Sequence, residues 1–160
     1  MKDVYLLLGS NEGRRQLNIA EACTLIALKC GTITKYSSLY ETAAWGLTNQ
    51  QSFINQCIII NTNLRPENLL SALKEIEKQV GRIETIKWGP RIIDIDILFY
   101  STEIINTPSL KIPHPLLHQR RFTLVPLNEI AGSFIHPVLK KSIPQLLEEC
   151  ADTLPVNNLP

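Results

Sequence analysis

No stretch of this sequence approaches the ~18 consecutive apolar residues that a membrane-spanning helix requires, so a membrane span is excluded. Met1-Lys2-Asp3-Val4-Tyr5 has no basic region leading into a long apolar segment and does not read as a secretory signal. Neither charge is in excess: sixteen basic and fifteen acidic residues leave a net +1. That balance argues against a broad nucleic-acid surface, whose electrostatic attraction needs clustered positive charge. The four cysteines, Cys23, Cys30, Cys57 and Cys150, form no C-x-x-C pair and no zinc-like spacing. Reduced, buried thiols in a cytoplasmic protein are the expectation. Internal repeats, low-complexity runs and linkers are also missing. Gly9-Ser10-Asn11-Glu12-Gly13 is followed by no Gly-Lys-Ser/Thr, so it resembles a phosphate loop only faintly.

What remains is ordinary globular chain. Its 160 residues, 44% hydrophobic and 19% charged, fit one domain over 1–160 with a substantial core.

The least ordinary stretch is Lys87-Trp88-Gly89-Pro90-Arg91-Ile92-Ile93-Asp94-Ile95-Asp96-Ile97-Leu98. Side chains alternate along a strand, so Asp94 and Asp96 share one face while Ile93, Ile95 and Ile97 share the other. Two carboxylates about 7 Å apart repel, and a bound cation is the natural compensation. Hard oxygen ligands suit Mg²⁺, which takes one or two carboxylates plus substrate phosphates. The plain alternative is an amphipathic edge strand with two solvated acids, and the flanking residues must decide.

Val4 to Leu8 reads as a buried first strand that delivers the 9–13 loop, a candidate ligand contact. Leu17, Ala20, Leu25 and Leu28, with Cys23 and Ala27, recur at helical spacing over 16–30, and Gly31 is a plausible stop. Strands are predicted over 32–42 and 53–64, joined by a long connection without periodicity, the kind that is often functional. Pro66 opens an amphipathic helix with Leu69, Leu70, Leu73, Ile76, Glu77 and Val80 on its apolar side, ending at Gly81. The 87–98 stretch is then the fourth strand. The order βαββαβ predicts an α+β, ferredoxin-like sandwich: an antiparallel sheet with helices on one face. A hairpin from Glu103 to Ile112, helices over 122–131 and 143–151, and a tail from Asp152 that adds little complete the chain.

Arg82, Lys87, Arg91, His114, His118, Arg120 and Arg121 accompany the two aspartates in the second half. Guanidinium forks bind phosphate oxygens bidentately and a metal neutralises bridging oxygens, so the set outlines a polyphosphate site; scattered surface arginines are the bland alternative. Arg91 behind Gly89-Pro90 and His114 between two prolines favour the former.

Lys87-x-Gly89-Pro90-Arg91-x-x-Asp94-Ile95-Asp96-Ile97-Leu98 resembles the signature of the 6-hydroxymethyl-7,8-dihydropterin pyrophosphokinases of folate biosynthesis. Gly9-Ser10-Asn11, Ser37-Ser38-x-Tyr40-x-Thr42, Phe53-x-Asn55, Glu77, Gly81-Arg82, Pro113-His114 and Arg120-x-Phe122 follow the family's order over about residues 4–130. The resemblance implies transfer of pyrophosphate from MgATP to the pterin hydroxymethyl group with release of AMP. It also implies that Asp94 and Asp96 hold two Mg²⁺, that Arg82 and Arg91 act on the phosphates, and that Ile97, His114 and Arg120 serve the nucleotide. Phe53 and Phe122 would stack the pterin, Asn55 would read its edge, Thr42, Ala43 and Trp45 would line it, and Trp88 would belong to a loop closing over the site. Glu77 would support the site, and a monomer working on small molecules alone is expected, without nucleic acid or membrane.

The chain departs from the family pattern at Glu84 and Thr85, where basic residues often sit, at Ala43 in place of proline, and at Pro115 in place of tyrosine. His118, Arg121 and His136 read as structural or surface residues. Two other classes compete: an Asp-x-Asp phosphatase, which wants its acids on an early strand of a doubly wound sheet, and a non-catalytic binding module, which would tolerate Asp94→Asn.

Overall fold

The computed structural model describes residues 1–44, 49–84 and 86–160. In chain order it runs β1 (Lys2–Ser10), α1 (Arg15–Lys29), β2 (Thr32–Tyr36), β3 (Tyr40–Thr42), β4 (Phe53–Thr62), α2 (Pro66–Val80) and β5 (Asp94–Tyr100). The hairpin β6 (Ile105–Asn106) and β7 (Lys111–Ile112), a 3-10 turn, α3 (Arg121–Ala131), α4 (Ile143–Glu149) and β8 (Val156–Asn158) follow. The sheet order is β5-β1-β4-β3-β8, with β2 also on β4, and its pairings are antiparallel. This is the expected ferredoxin-like arrangement, with the hairpin and C-terminal helices added.

The alternation of each strand builds two cores. Val4, Leu6 and Leu8 of β1, Ile58 and Ile60 of β4, and Ile95 and Ile97 of β5 face α1 and α2. Leu7, Cys57, Ile59, Leu98 and Phe99 face α3 and α4 instead, so helices cover both faces of the sheet. A bulge between β1 and β5 at Tyr5/Leu6 lets the adjacent Leu98 and Phe99 both enter the second core and returns Tyr100 to the first.

Several local expectations change. The fourth strand, expected from Lys87, begins only at Asp94, because Gly89-Pro90 keeps the preceding residues out of the ladder. The predicted strand over 32–42 divides into β2 and β3 because Ser37 interrupts the ladder, its hydroxyl accepting the Cys57 amide at 2.9 Å. Ser38 turns to α3, where the Glu129 carboxylate accepts from its amide and hydroxyl and from Tyr40 Oη at 2.6 Å. The tail contributes more than expected: β8 satisfies the outer edge of β3, and Leu159 packs on the first core.

Helix α1 presents a different stripe from the one predicted. Ile19, Ala22, Cys23 and Ile26 are buried, whereas Leu17 and Leu28 are 57% and 76% exposed. Both stripes are apolar at helical spacing, and packing against β1, β4 and β5 selects the second. At the C-terminal end Gly31 lies so close to β4 that a Cβ would sit 2.3 Å from the Asn61 carbonyl oxygen, a contact that only glycine permits. At the N-terminal end, Arg14 makes no side-chain capping bond and the first turn carries no acid. Arg14→Asp should therefore stabilise the protein by about 1 kcal/mol, through an added cap and a better match to the helix dipole. An unchanged or lowered melting temperature would count against this account.

Candidate active site

The face of the sheet that carries Leu98, Cys57 and Ile59 is covered by α3 and α4 at one end only. Counting back in twos from these core residues reaches Asp96 and Asp94 on β5, Asn55 and Phe53 on β4, and, on the strands beside them, Leu7 and Gly9 of β1 and Thr42 of β3. These residues line one cleft of about 330 Å³, with Ala43, Lys87, Trp88, Gly89, Arg91, His114, Arg120 and Phe122 forming its walls. The register places Gly9 between Asp94 and Asn55, and Leu7 between Asp96 and Cys57. With strands about 4.8 Å apart, Asp94 and Asn55 stand roughly 10 Å apart across the floor.

The acidic side is heavily braced. Arg82 Nη1 donates to Asp94 Oδ1 at 2.8 Å and Arg91 Nη1 pairs with Asp94 Oδ2 at 3.0 Å. Arg82 also pairs with the buried Glu77, whose Oε2 accepts the Ile95 amide at 2.9 Å. Glu77 thus joins α2 to β5 and steadies Arg82 from behind. Burial, followed by the charge of Asp94, raises its pKa.

Asp96 is left to face that charge at the cleft floor. Burial first and Asp94 second push its pKa up to about 8, with Arg120 and Arg91 opposing. Such a pair of hard-oxygen donors fits Mg²⁺, which would relieve the repulsion. Among the described residues no cluster of three or more metal-capable side chains occurs, so other ligands would have to come from phosphate and water.

His114 is fixed by its amide, which donates to the Leu98 carbonyl at 3.0 Å, and by Nδ1, which accepts the Leu116 amide at 3.1 Å. Burial, then the neighbouring Arg120, lowers its pKa to about 4. The ring is neutral near pH 7, and with Nδ1 already an acceptor its proton sits on Nε2. Arg120 lies over the Phe122 ring at 5.6 Å.

On the opposite side, Asn55 Nδ2 donates to Thr42 Oγ1 at 2.7 Å, an orientation that fixes a buried amide beside Phe53. A flat heterocycle with a donor and acceptor edge could be met here by aromatic faces and one fixed amide.

Two predicted positions behave differently. Ile97 packs into the core on the far face of the sheet, so its side chain is not available to a nucleotide. Arg82 reaches the site through Asp94 rather than as part of the cleft lining. Trp45 and Thr85 lie outside the described residues. His136 is structural: it is buried against Phe99, and its Nδ1 accepts the Val138 and Leu139 amides.

Gly9, expected in a loop, is inside β1 and forms floor. Asn11, expected as part of a ligand-contacting loop, is a brace. Its Oδ1 accepts the Arg91 amide at 2.7 Å, its own amide donates to the Arg91 carbonyl at 3.0 Å, and its Nδ2 donates to Gln50 and to the Gln51 carbonyl. Gln50 in turn donates to the Trp88 carbonyl at 2.8 Å. A glycine inside a strand signals close approach, but nothing local marks an asparagine as a brace.

A ferredoxin-like sheet whose open end joins paired carboxylates, guanidinium groups and aromatic faces defines a transferase-like cleft for an anionic group and a flat acceptor. Residues 5–132 match the model of the 7,8-dihydro-6-hydroxymethylpterin-pyrophosphokinase family, and the chain belongs to that family. It is 46% identical, over 93% of its length and 92% of the relative's, to the 2-amino-4-hydroxy-6-hydroxymethyldihydropteridine pyrophosphokinase of Aquifex aeolicus. It is 43% identical over 93% of its length to the folic acid synthesis protein fol1 of Pneumocystis carinii, spanning 20% of that longer protein. The fold is similar to the Plasmodium falciparum HPPK-DHPS wild-type structure with pteroate, at a TM-score of 0.77 and 19% identity over 92% of this chain and 42% of that one.

Proposed function

We propose that the cleft carries out the family reaction: transfer of the pyrophosphoryl group of ATP to the hydroxymethyl oxygen of 6-hydroxymethyl-7,8-dihydropterin, a step of folate biosynthesis. The observation that carries this reading is the meeting, in one cleft, of an Asp94/Asp96/Arg91/Arg120 side suited to polyphosphate and a Phe53/Asn55/Phe122 side suited to a pterin.

The pterin stacks between Phe53 and Phe122, while Asn55, held by Thr42, pairs with its edge; Ala43 lines that wall, and the family pattern assigns Trp45 to the same ligand. Arg91 and Arg120 hold phosphate oxygens, Arg82 keeps Asp94 in place until phosphates arrive, and neutral His114 offers Nε2–H to an oxygen. Asp94 and Asp96 would hold two Mg²⁺, which would neutralise the charge that spreads over the transferring group. The acceptor hydroxyl and the β-phosphorus are brought into line and water is kept out by the segment bearing Trp88. For such a transfer, alignment and charge stabilisation carry most of the rate, so no dedicated base is required. Among the described residues no helix is long and apolar enough to cross a membrane. The free thiols of Cys23, Cys30, Cys57 and Cys150 support a cytoplasmic setting, and the protein acts as a monomer on these small molecules.

Incubated with MgATP and 6-hydroxymethyl-7,8-dihydropterin, the purified protein should release AMP in step with pterin diphosphate. Chromatography that finds ADP as the sole nucleotide product would exclude pyrophosphoryl transfer.

A further inference from the structure

No residue of the first turn of α1 lines the cleft, yet two of its side chains reach the ends of both segments that flank it. Arg15 and Asn18 are three residues apart and share one side of the helix. Arg15 Nη1 donates to the Ser52 carbonyl at 2.9 Å and to Ser52 Oγ at 3.1 Å, and pairs with Glu41 Oε2 on β3 at 3.0 Å. Ser52 Oγ closes the triangle by donating to the same Glu41 oxygen at 3.2 Å. Ser52 directly precedes Phe53, and Glu41 directly precedes Thr42, so this triangle sets the start of the aromatic and amide wall.

Asn18 works on the other segment. Its Nδ2 donates to the Ile92 carbonyl at 3.2 Å, to the Glu12 carbonyl at 2.9 Å and to Ser10 Oγ at 3.2 Å. Ile92 directly follows Arg91, whose own amide and carbonyl are both held by Asn11. The position of the guanidinium beside Asp94 therefore depends on a short stretch of backbone pinned from β1 and from α1.

We infer that Arg15 and Asn18 are positioning residues for the two halves of the site: Arg15 fixes the 49–52 segment that delivers Phe53 to the acceptor, and Asn18 fixes the 91–92 segment that delivers Arg91 to the phosphates. The inference rests on the proposed reaction for the identity of the two ligands. Its physical basis is that a small displacement of a binding group costs far more than its distance suggests, about a hundredfold in rate for 1 Å. Because the two side chains hold different segments, their loss has separable consequences. A residue that merely stabilises α1 would weaken both ligands together.

Calorimetric titration of the full chain with Mg²⁺ and a non-hydrolysable ATP analogue, then with pterin at saturating analogue, separates the two. Arg15→Gln should weaken pterin about tenfold and leave the analogue within about twofold of wild type, a change in uniform binding that appears as KM. Arg15→Lys keeps the charge opposite Glu41 and should show the same selectivity at smaller amplitude, which preserves the test if the glutamine variant unfolds. Asn18→Asp keeps the shape but removes the donor. It should weaken the analogue about tenfold with pterin within about twofold, and Asn18→Ala should agree. Equal weakening of both ligands in either variant, or no change beyond about twofold, would overturn the inference. Failure of wild-type protein to bind pterin would instead overturn the proposed reaction itself.

Discussion

Asp96→Asn should cut AMP formation by at least about a thousandfold while making the metal-free protein more stable above pH 7. Both effects have one origin. The Asp96 carboxyl is raised to about 8 by burial and by Asp94, far above the 3.8 of an unperturbed aspartate. A group whose folded-state pKa is raised contributes stability that is fully present below its unfolded value and is lost as pH rises through the folded one. Metal-free wild type should therefore lose stability steadily between about pH 4 and about pH 8, and Asp96→Asn should lose less. Adding Mg²⁺ and ATP should restore wild type at pH 8 and have little effect on the variant. Melting curves across pH, with and without MgATP, measure the second effect, and AMP release measures the first. Near-normal turnover would remove Asp96 from the phosphate site, and parallel pH curves would remove the account of its burial.

Gly9→Ala should be nearly as damaging through a purely steric route. The new Cβ would lie 2.7 Å from Asn55 Oδ1 and 3.4 Å from Phe53 Cδ1. The backbone of Gly9 is ordinary strand, so no conformational strain is involved. Asn55 is buried and bonded to Thr42, so the methyl group must displace the amide, the strand or both. The expected result is a loss of pterin affinity of about a hundredfold, with destabilisation of about 1–3 kcal/mol. Calorimetry and denaturant titration read these separately. Unchanged pterin affinity would show that Asn55 is not the edge reader.

The acidic strand was legible because its cost is local: two carboxylates in a β-branched run announce themselves. Phe53-x-Asn55 and Arg120-x-Phe122 were legible through the family pattern, and both line the cleft that those acids share. Legibility failed where two local solutions were equally good. The leucine stripe and the Ile19/Ala22/Cys23/Ile26 stripe of α1 both have helical spacing, and only packing on the sheet chose between them. It failed too where a polar side chain acts over long sequence separation. Asn11 bonds residues about 40 and 80 positions away, and Glu129 on α3 bonds Ser38 and Tyr40 about 90 positions away.

The order of the main strands and helices, with β2 and β3 read as one strand, the ferredoxin-like class and the types of group available for chemistry are legible in the chain, because period, turn residues and charge placement are local properties. Tertiary structure decided which of those groups meet. The antiparallel register put Gly9 between Asp94 and Asn55, the bulge in β5 turned Leu98 and Phe99 together toward α3 and α4, and those helices stop short of the end where the carboxylates lie. A cleft is a relation between strands, and that relation is fixed only when the sheet closes.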